Sequence, residues 1–268
     1  MGVGRRSEGE RGTEMTLVSI EGAQEIREVT MADCHGCPAI RRSIFSLVAG
    51  EDRAELITHF RLMSFPPKAA VFHEGDRDPY LHIIRAGIAK LIKAGESGDE
   101  RIVRLVRPGD AVGLERLLGD ACRHTVSALT RLETCRMSVD EVTRRIDRNP
   151  ELGAKLFRQW QDSLDNADLF LTEFSTGTAH ARVARLLLYM TSGGVGENCV
   201  VPSREDMAAM LGLTTETVSR ITAEFKRQGL MVAEGDHCCE VLDLERLREI
   251  ASASGRGTAR PDSANPAP

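Results

Sequence analysis

Two cysteines near the beginning of the chain are separated by two residues, in the sequence Cys34-His-Gly-Cys37-Pro. A turn of this length aims both sulfur atoms in one direction, so the pair can grip one metal ion or one edge of a cluster. Taken alone, the motif fits half of a zinc site, half of an iron–sulfur site or a redox-active dithiol. A thioredoxin-like dithiol requires a βαβ context. A zinc site requires a second pair of ligands, for which the adjacent Cys238 and Cys239 are poorly placed.

The most specific segment is REDMAAMLGLTTETVSRI, which spans residues 204–221. Ser203 can cap a first helix, Gly212 permits a left-handed turn, and the threonines that follow can start a second helix. A helix-turn-helix requires a small residue such as Ala208, a glycine four residues later and apolar residues on both inner faces. The segment therefore predicts a DNA-binding motif, and two apolar runs around Gly235 predict a hairpin wing beside it.

The start of the second helix is expected to enter the major groove of double-stranded DNA. The outward residues of this start are Thr215, Glu216, Ser219 and Arg220. Arg can bridge guanine O6 and N7, and Glu can accept from cytosine N4, although Glu216 and Arg220 also have the spacing of an exposed ion pair. Residues 178–250 carry 8 Lys and Arg against 11 Asp and Glu. Specificity must therefore come from groove contacts and dimer symmetry rather than from net charge.

Short apolar runs alternate with glycines between Leu62 and Val139, which predicts an antiparallel sandwich or barrel. The strand candidates are Val71–His73, Leu81–Arg85, Ile88–Lys93, Arg101–Arg107 and one or two strands within 125–134. At Asn149-Pro150 the apolar period becomes helical. The apolar residues of that helix are Leu152, Leu156, Trp160, Leu164, Ala167, Leu171 and Phe174. Their spacing favours a dimer interface over a helical bundle, because the chain offers no other long helix.

These elements predict an α+β fold with an N-terminal antiparallel β-barrel or jelly roll, a long dimerisation helix and a C-terminal winged helix-turn-helix. The expected divisions are a disordered segment 1–30, a sensor domain 31–148, a dimerisation helix 149–176, a DNA-binding domain 177–250 and a disordered tail 251–268.

Composition excludes several classes of protein. The net charge is −5, from 35 Lys and Arg against 40 Asp and Glu, so the surface is not uniformly basic. No apolar run approaches the roughly 18 residues of a transmembrane helix, and the N-terminus lacks the apolar region of a secretory signal. Seven cysteines are an odd number, which argues against a disulfide framework and for a cytoplasmic protein without membrane contact. No Ser/His/Asp set, P-loop or dinucleotide fingerprint is present, so no enzymatic activity is expected.

A barrel, a long helix and a helix-turn-helix in this order resemble the CRP/FNR family of bacterial transcription regulators. The resemblance extends from about Cys34 to Leu247, and its strongest local likeness is between Leu211–Arg220 and the recognition helix of the FNR-type branch. It implies a homodimer that reads a TTGAT-like palindrome through Glu216, Ser219 and Arg220. The loop Gly98-Asp99-Glu100 resembles the barrel loop with which that branch contacts RNA polymerase.

The same resemblance implies a [4Fe–4S] cluster and a response to oxygen or redox state. Cys34, Cys37 and Cys135 fall on ligand positions of the FNR-type branch, whereas its third N-terminal position is Ser43 in this chain. The candidates for a fourth ligand are Cys122, Asp33, His35 and a small molecule. The alternatives are a regulator without a cofactor and one that responds to thiol oxidation or nitric oxide. A thiol oxidoreductase is the alternative from another class.

Cyclic-nucleotide binding is disfavoured by the same comparison. Family members that bind cyclic AMP carry an Arg-Ser pair near the position of Cys122-Arg123, and in this chain Cys122 replaces the arginine.

Overall fold

The computed structural model describes residues 25–34, 36–95, 98–192, 199–234 and 238–253. Within these ranges it confirms the predicted order of an antiparallel β-roll, a long helix and a winged helix-turn-helix. Residues 1–24 of the predicted N-terminal segment and residues 254–268 of the predicted tail lie outside the described ranges.

The N-terminal part is more ordered than predicted. Glu25–Glu28 forms strand β1, which pairs antiparallel with β2 (Arg61–Phe65), so the predicted disorder is wrong for residues 25–28. The segment EIRE holds one apolar residue, which is too little alternation to predict a strand. The short helices that follow are α1 (Met31–Cys34), α2 (Pro38–Arg42), a 3₁₀ turn (Ile44–Leu47) and α3 (Gly50–Thr58).

The β-roll consists of two antiparallel sheets, in the orders β1-β2-β9-β4-β7 and β3-β8-β5-β6. Its further strands are β3 (Ala70–Phe72), β4 (Tyr80–Ala86), β5 (Ala89–Ala94), β6 (Glu100–Val106), β7 (Ala111–Val112), β8 (Thr125–Ala128) and β9 (Leu132–Ser138). Every strand predicted here is present, whereas the two-residue β7 leaves no pattern in the sequence. Gly87 turns the chain between β4 and β5 with φ of 83°, and a Cβ there would lie 2.1 Å from the carbonyl oxygen of Arg131.

Two helices continue from the roll: α4 (Val139–Arg148) and α5 (Pro150–Leu169). Asn149 caps α5 by accepting a hydrogen bond from the Glu151 N–H at 3.1 Å, and Pro150 occupies the first turn, as predicted. A π-helical turn, Phe170–Phe174, prolongs α5 toward the DNA-binding domain.

The C-terminal domain contains the predicted motif and wing. Its elements are α6 (Ala179–Ser192), β10 (Cys199–Val200), α7 (Arg204–Leu211), α8 (Thr215–Arg227), β11 (Met231–Glu234), β12 (Cys238–Val241) and α9 (Leu244–Ser252). The wing strands pair in the order β10-β12-β11. Helix α9 runs to Ser252, so the ordered domain extends past the predicted start of the tail at 251.

Candidate functional site

Three cysteines from separate parts of the chain converge on one side of the β-roll. Cys34 ends α1, Cys37 precedes α2, and Cys135 lies in β9. Cys34 and Cys135 are buried in the same apolar cluster, and Cys37 packs against it. Burial, followed by the neighbouring sulfurs of Cys34 and Cys37, raises the pKa of Cys135 to about 12. Burial and then Cys37 also raise the pKa of Cys34. The structure therefore brings together the three residues that the resemblance assigns as ligands.

The three sulfur atoms do not all lie within 4.8 Å of one another. A single zinc ion bound at about 2.3 Å needs sulfur atoms within about 4.6 Å of one another. Among the residues that the structure describes, the one trio of Cys, His, Asp or Glu ligand atoms within 4.8 Å is Glu55, His59 and Glu141. Glu141 in that trio already forms ion pairs with two arginines, at 2.6 Å from Arg145 and 2.7 Å from Arg144. In their present positions the three sulfurs are therefore too far apart to share one ion bound at that distance.

Arg85 lies beside the three cysteines and was not predicted from the sequence. Its guanidinium contacts Glu133 at 2.8 Å and Asp33 at 3.8 Å. Burial opposes the charge of Arg85, but Glu133 and a hydrogen bond with Cys37 outweigh that effect and raise the pKa of the guanidinium. A fixed positive charge stabilises thiolates nearby. The signal in the sequence was a lone arginine inside the apolar run LHIIRAGI.

Ser43 is committed to the backbone and offers no ligand. It is 1% exposed, and its Oγ donates to the carbonyl of Ile40 at 2.9 Å and accepts from the Phe45 N–H at 3.2 Å. Serine thus caps the 3₁₀ turn at the position where the FNR-type branch has a cysteine.

The structure does not bring Cys122 to the other three cysteines. Cys122 lies in the apolar cluster between the two sheets, together with Phe72 and Val126. Burial raises its pKa to about 12, and the charged neighbours are Arg116, Glu115, Asp78 and Asp76 rather than any cysteine. Cys122, one candidate for the fourth ligand, therefore does not lie with the three cysteines in this structure, because it packs in the core between the two sheets and not beside α1 and α2. Asp33 stays adjacent to the site, with its carboxylate accepting from Thr30 at 2.8 Å, and His35 lies outside the described residues.

The segment that carries Cys34 and Cys37, residues 33–45, is called the cysteine segment and packs directly on α5. Ile44 and Phe45 are buried in the same cluster as Leu152 and Leu156 of α5. The ammonium of Lys155 on α5 also donates to the Ser46 hydroxyl. Movement of the cysteine segment would therefore disturb the packing of α5.

The predicted apolar seam of α5 divides into two faces. Leu152 and Leu156 are 2% and 8% exposed and pack inside their own protomer, so their assignment to a dimer interface is wrong. Trp160 is partly buried against the same cluster. The face that remains open carries Phe157, Leu164 and Leu171, which are 72%, 61% and 64% exposed, respectively. These three residues recur every seventh position, which is the spacing of a coiled-coil seam.

The DNA-reading motif has the predicted local structure. Ser203 accepts from the Asp206 N–H at 3.1 Å and Thr214 accepts from the Thr217 N–H at 3.2 Å, so each helix has its own cap. Gly212 connects them with φ of 60°. The inner faces are buried and consist of Met207, Ala208, Leu211, Val218, Ile221 and Phe225.

The predicted reading face of α8 is open. Thr215, Glu216 and Arg220 are exposed and Ser219 is half-buried. Among the described residues, no ion pair joins Glu216 to Arg220, so both side chains are available to base edges. The predicted polymerase loop is exposed as well: Gly98 and Asp99 lie between β5 and β6, and Glu100 is the first residue of β6.

The space between the roll and α5 is small. A cavity of about 50 Å³ remains there, lined in part by Arg104, Glu115, His124 and Trp160. Sites for drug-sized ligands measure about 300–1,000 Å³. The cavity is therefore smaller than the usual site for such a ligand.

Two family profiles match the chain. A cyclic nucleotide-binding domain matches residues 62–149, and a Crp-like helix-turn-helix domain matches residues 181–250. Together they cover the β-roll from β2 onward, α4 and most of the DNA-binding domain. Among the described residues, no helix is both long and apolar enough to cross a membrane.

Similar proteins of known role cover nearly the same length. The transcriptional activator protein FnrL of Cereibacter sphaeroides is 30% identical over 236 residues, which are 84% of this chain and 94% of FnrL. The cyclic AMP receptor protein of Thermus thermophilus is 28% identical over 209 residues, which are 78% of this chain and 96% of that protein. The solved structure of FixK2 from Bradyrhizobium japonicum is similar in fold, with a TM-score of 0.65, 24% identity, and 73% of this chain and 98% of FixK2 covered.

Proposed function

The chain belongs to the CRP/FNR family of DNA-binding transcription regulators, and from that premise we propose that it is an oxygen- or redox-responsive regulator controlled by an iron–sulfur cluster. Its relatives are regulators and it is not an enzyme. We propose further that it acts as a homodimer on a TTGAT-like palindrome in the bacterial cytoplasm, and activates transcription through contact of Gly98, Asp99 and Glu100 with RNA polymerase.

The observation that carries this proposal is the convergence of Cys34, Cys37 and Cys135 beside Arg85. Two of these residues lie about 100 positions from the third, yet all three share one buried site. In their present positions the three sulfurs cannot all bind one ion, whereas a [4Fe–4S] cluster, which offers each cysteine its own iron, is compatible with a wider separation. Bound there, such a cluster would supply reactivity toward oxygen.

The residues around the site would hold the cluster, offset its charge and transmit its loss to α5. The three cysteines would lose their protons as they bind iron, and Arg85 would offset part of the resulting negative charge. Asp33, His35 or a small molecule would complete the site, because Ser43 and Cys122 are engaged elsewhere. The segment from Asp33 to Phe45 would be held against α5 when the site is filled and released when it is emptied. Release would disturb the packing of α5, whose other face carries the exposed row Phe157, Leu164 and Leu171.

A response by thiol oxidation alone is less well supported. The thiolate is the form of cysteine that reacts with oxidants. Burial raises the pKa of both Cys34 and Cys135, so these thiols stay protonated near neutral pH.

The proposal is tested by the iron and acid-labile sulfide content of protein purified without oxygen. We expect both in the parent protein, and we expect Cys34→Ala, Cys37→Ala and Cys135→Ala each to abolish them. Cys122→Ala is the matched control, since it removes a buried thiol from the same domain outside the site. Retention of iron and sulfide in all three site variants, or their absence from the parent protein, would refute the proposal.

A further inference from the structure

The β-roll and the helix-turn-helix share one apolar core. Ile92 of β5 and Ile102 of β6 lie in the same buried cluster as Met207 and Leu211 of α7. The outer face of the sheet β3-β8-β5-β6 is therefore covered by the first helix of the DNA-binding motif. This contact leaves α8 untouched on its reading face, where Thr215 and Arg220 are exposed.

A nearly buried ion pair lies at the edge of this contact. The ammonium of Lys90 on β5 donates to the carboxylate of Asp206 on α7, and the side chains are 12% and 13% exposed. Asp206 also accepts from the Ser203 hydroxyl at 2.9 Å, which fixes the carboxylate at the first turn of α7. Lys90 in turn lies in an inner strand, since β5 pairs with both β6 and β8. Neither charge can move far without losing its partner.

A second residue of the roll covers the turn of the motif. A Cβ added to Gly212 would lie 2.5 Å from a terminal nitrogen of Arg101, so this arginine is packed on the turn between α7 and α8. The roll thus touches the motif at both ends of α7, and together these two contacts fix the direction in which α8 points.

We propose that Lys90 is a positioning residue for DNA recognition, which acts through Asp206 to hold α8 in the orientation that two half-sites require. The proposal rests on the proposed binding of a palindrome by a dimer. In such a dimer the two reading helices must be about 34 Å apart to meet successive major grooves. A helix-turn-helix that rotates freely on its linker would still bind one half-site but would lose the preference for a fixed spacing. Through this contact the sensor domain would determine which distance between half-sites the two α8 helices of the dimer can bind.

Two variants with opposite charge changes test this proposal. Lys90→Met leaves the carboxylate of Asp206 without its cationic partner. Asp206→Asn leaves the ammonium of Lys90 without its anionic partner, although the amide oxygen can still accept from Ser203. We expect both variants to lose about tenfold in affinity for the palindrome. We also expect both to bind a single half-site as the parent does and to discriminate less against palindromes with one base pair added or removed. The exchange Lys90→Asp with Asp206→Lys should restore the discrimination.

A matched control is present at the same junction. Lys68 and Glu205 also join the roll to α7, at 4.0 Å, but their side chains are 74% and 76% exposed. Lys68→Met and Glu205→Gln should leave spacing discrimination unchanged, because exposed pairs contribute little. The proposal is overturned if Lys90→Met weakens binding while Asp206→Asn strengthens it, which is the result of a direct effect on phosphates. Parent-like discrimination in both variants, or an equal loss in the Lys68 control, would overturn it as well. Failure of the parent to prefer a palindrome over a half-site would instead count against the proposed function.

Discussion

At the scale of single residues, Ser43 separates a structural role from a ligand role. Its hydroxyl caps the 3₁₀ turn of Ile44–Leu47 and is buried. We expect Ser43→Ala to lower the free energy of unfolding by about 1 kcal/mol, the usual cost of removing a cap. The iron content should not change. Denaturant unfolding and iron analysis of the same preparation check this expectation, and loss of iron would show that the hydroxyl is a ligand.

Arg220 is the residue on which base recognition should depend most. It is exposed on α8, one turn after Glu216, and an arginine can bridge guanine O6 and N7. Arg220→Ala should cost about 1–3 kcal/mol of binding to the palindrome and little on a scrambled duplex. Arg227→Ala is the matched control, because it removes an exposed arginine from the last turn of the same helix. Competition binding measures both, and an equal loss on the two duplexes would mean that Arg220 contacts only phosphates.

At the scale of elements, the two apolar faces of α5 differ in burial: one packs in the core of its own protomer and the other is exposed. Leu164 lies in the exposed row with Phe157 and Leu171, whereas Leu156 packs in the core. We expect Leu164→Glu to give a folded monomer, since a charge buried in a dimer interface without a partner is costly. Leu156→Glu should instead lower the melting temperature. Sedimentation and thermal unfolding distinguish the two.

The control for this prediction is Arg158→Glu, on an exposed position about 100° around the helix from Phe157. It should remain dimeric. A parent protein that is monomeric under all redox conditions would contradict the assignment of the exposed row.

The same helix shows what the sequence could and could not predict. Its start at Asn149-Pro150 follows from local capping chemistry, and the apolar spacing correctly predicts a long helix. Spacing alone does not distinguish a residue packed on its own domain from one facing a partner, because both are apolar. Leu152 and Leu156 were therefore assigned to the wrong face, and Phe157 was missed.

Local rules predict the helix-turn-helix well, whereas they predict the cysteine site only in part. The caps of α7 and α8 and the turn at Gly212 depend on neighbours within a few residues, so the pattern predicts them well. The position of Cys122 depends on the tertiary path of the β-roll, which no local spacing reveals. Arg85 and Lys90 are single charges in apolar strands, and only the folded structure shows which partner each one meets.

At the scale of the whole molecule, three structural features connect the cysteine site to the helix-turn-helix. The cysteine segment packs on α5 through Phe45, the π-helical turn continues α5 toward the DNA-binding domain, and α7 is docked on the β-roll. A change at the cysteines can thus reach DNA either through the dimer helix or through the docked helix. Both routes predict that filling the site and binding the palindrome are coupled.

The most direct test of this account is a paired measurement on one anaerobic preparation. Iron, acid-labile sulfide and affinity for a TTGAT-like palindrome are determined first without oxygen and again after exposure to air. The account predicts that iron and sulfide are present at first, that both fall on exposure, and that affinity for the palindrome falls with them. A preparation that contains neither iron nor sulfide and binds the palindrome equally well before and after exposure to air would contradict it.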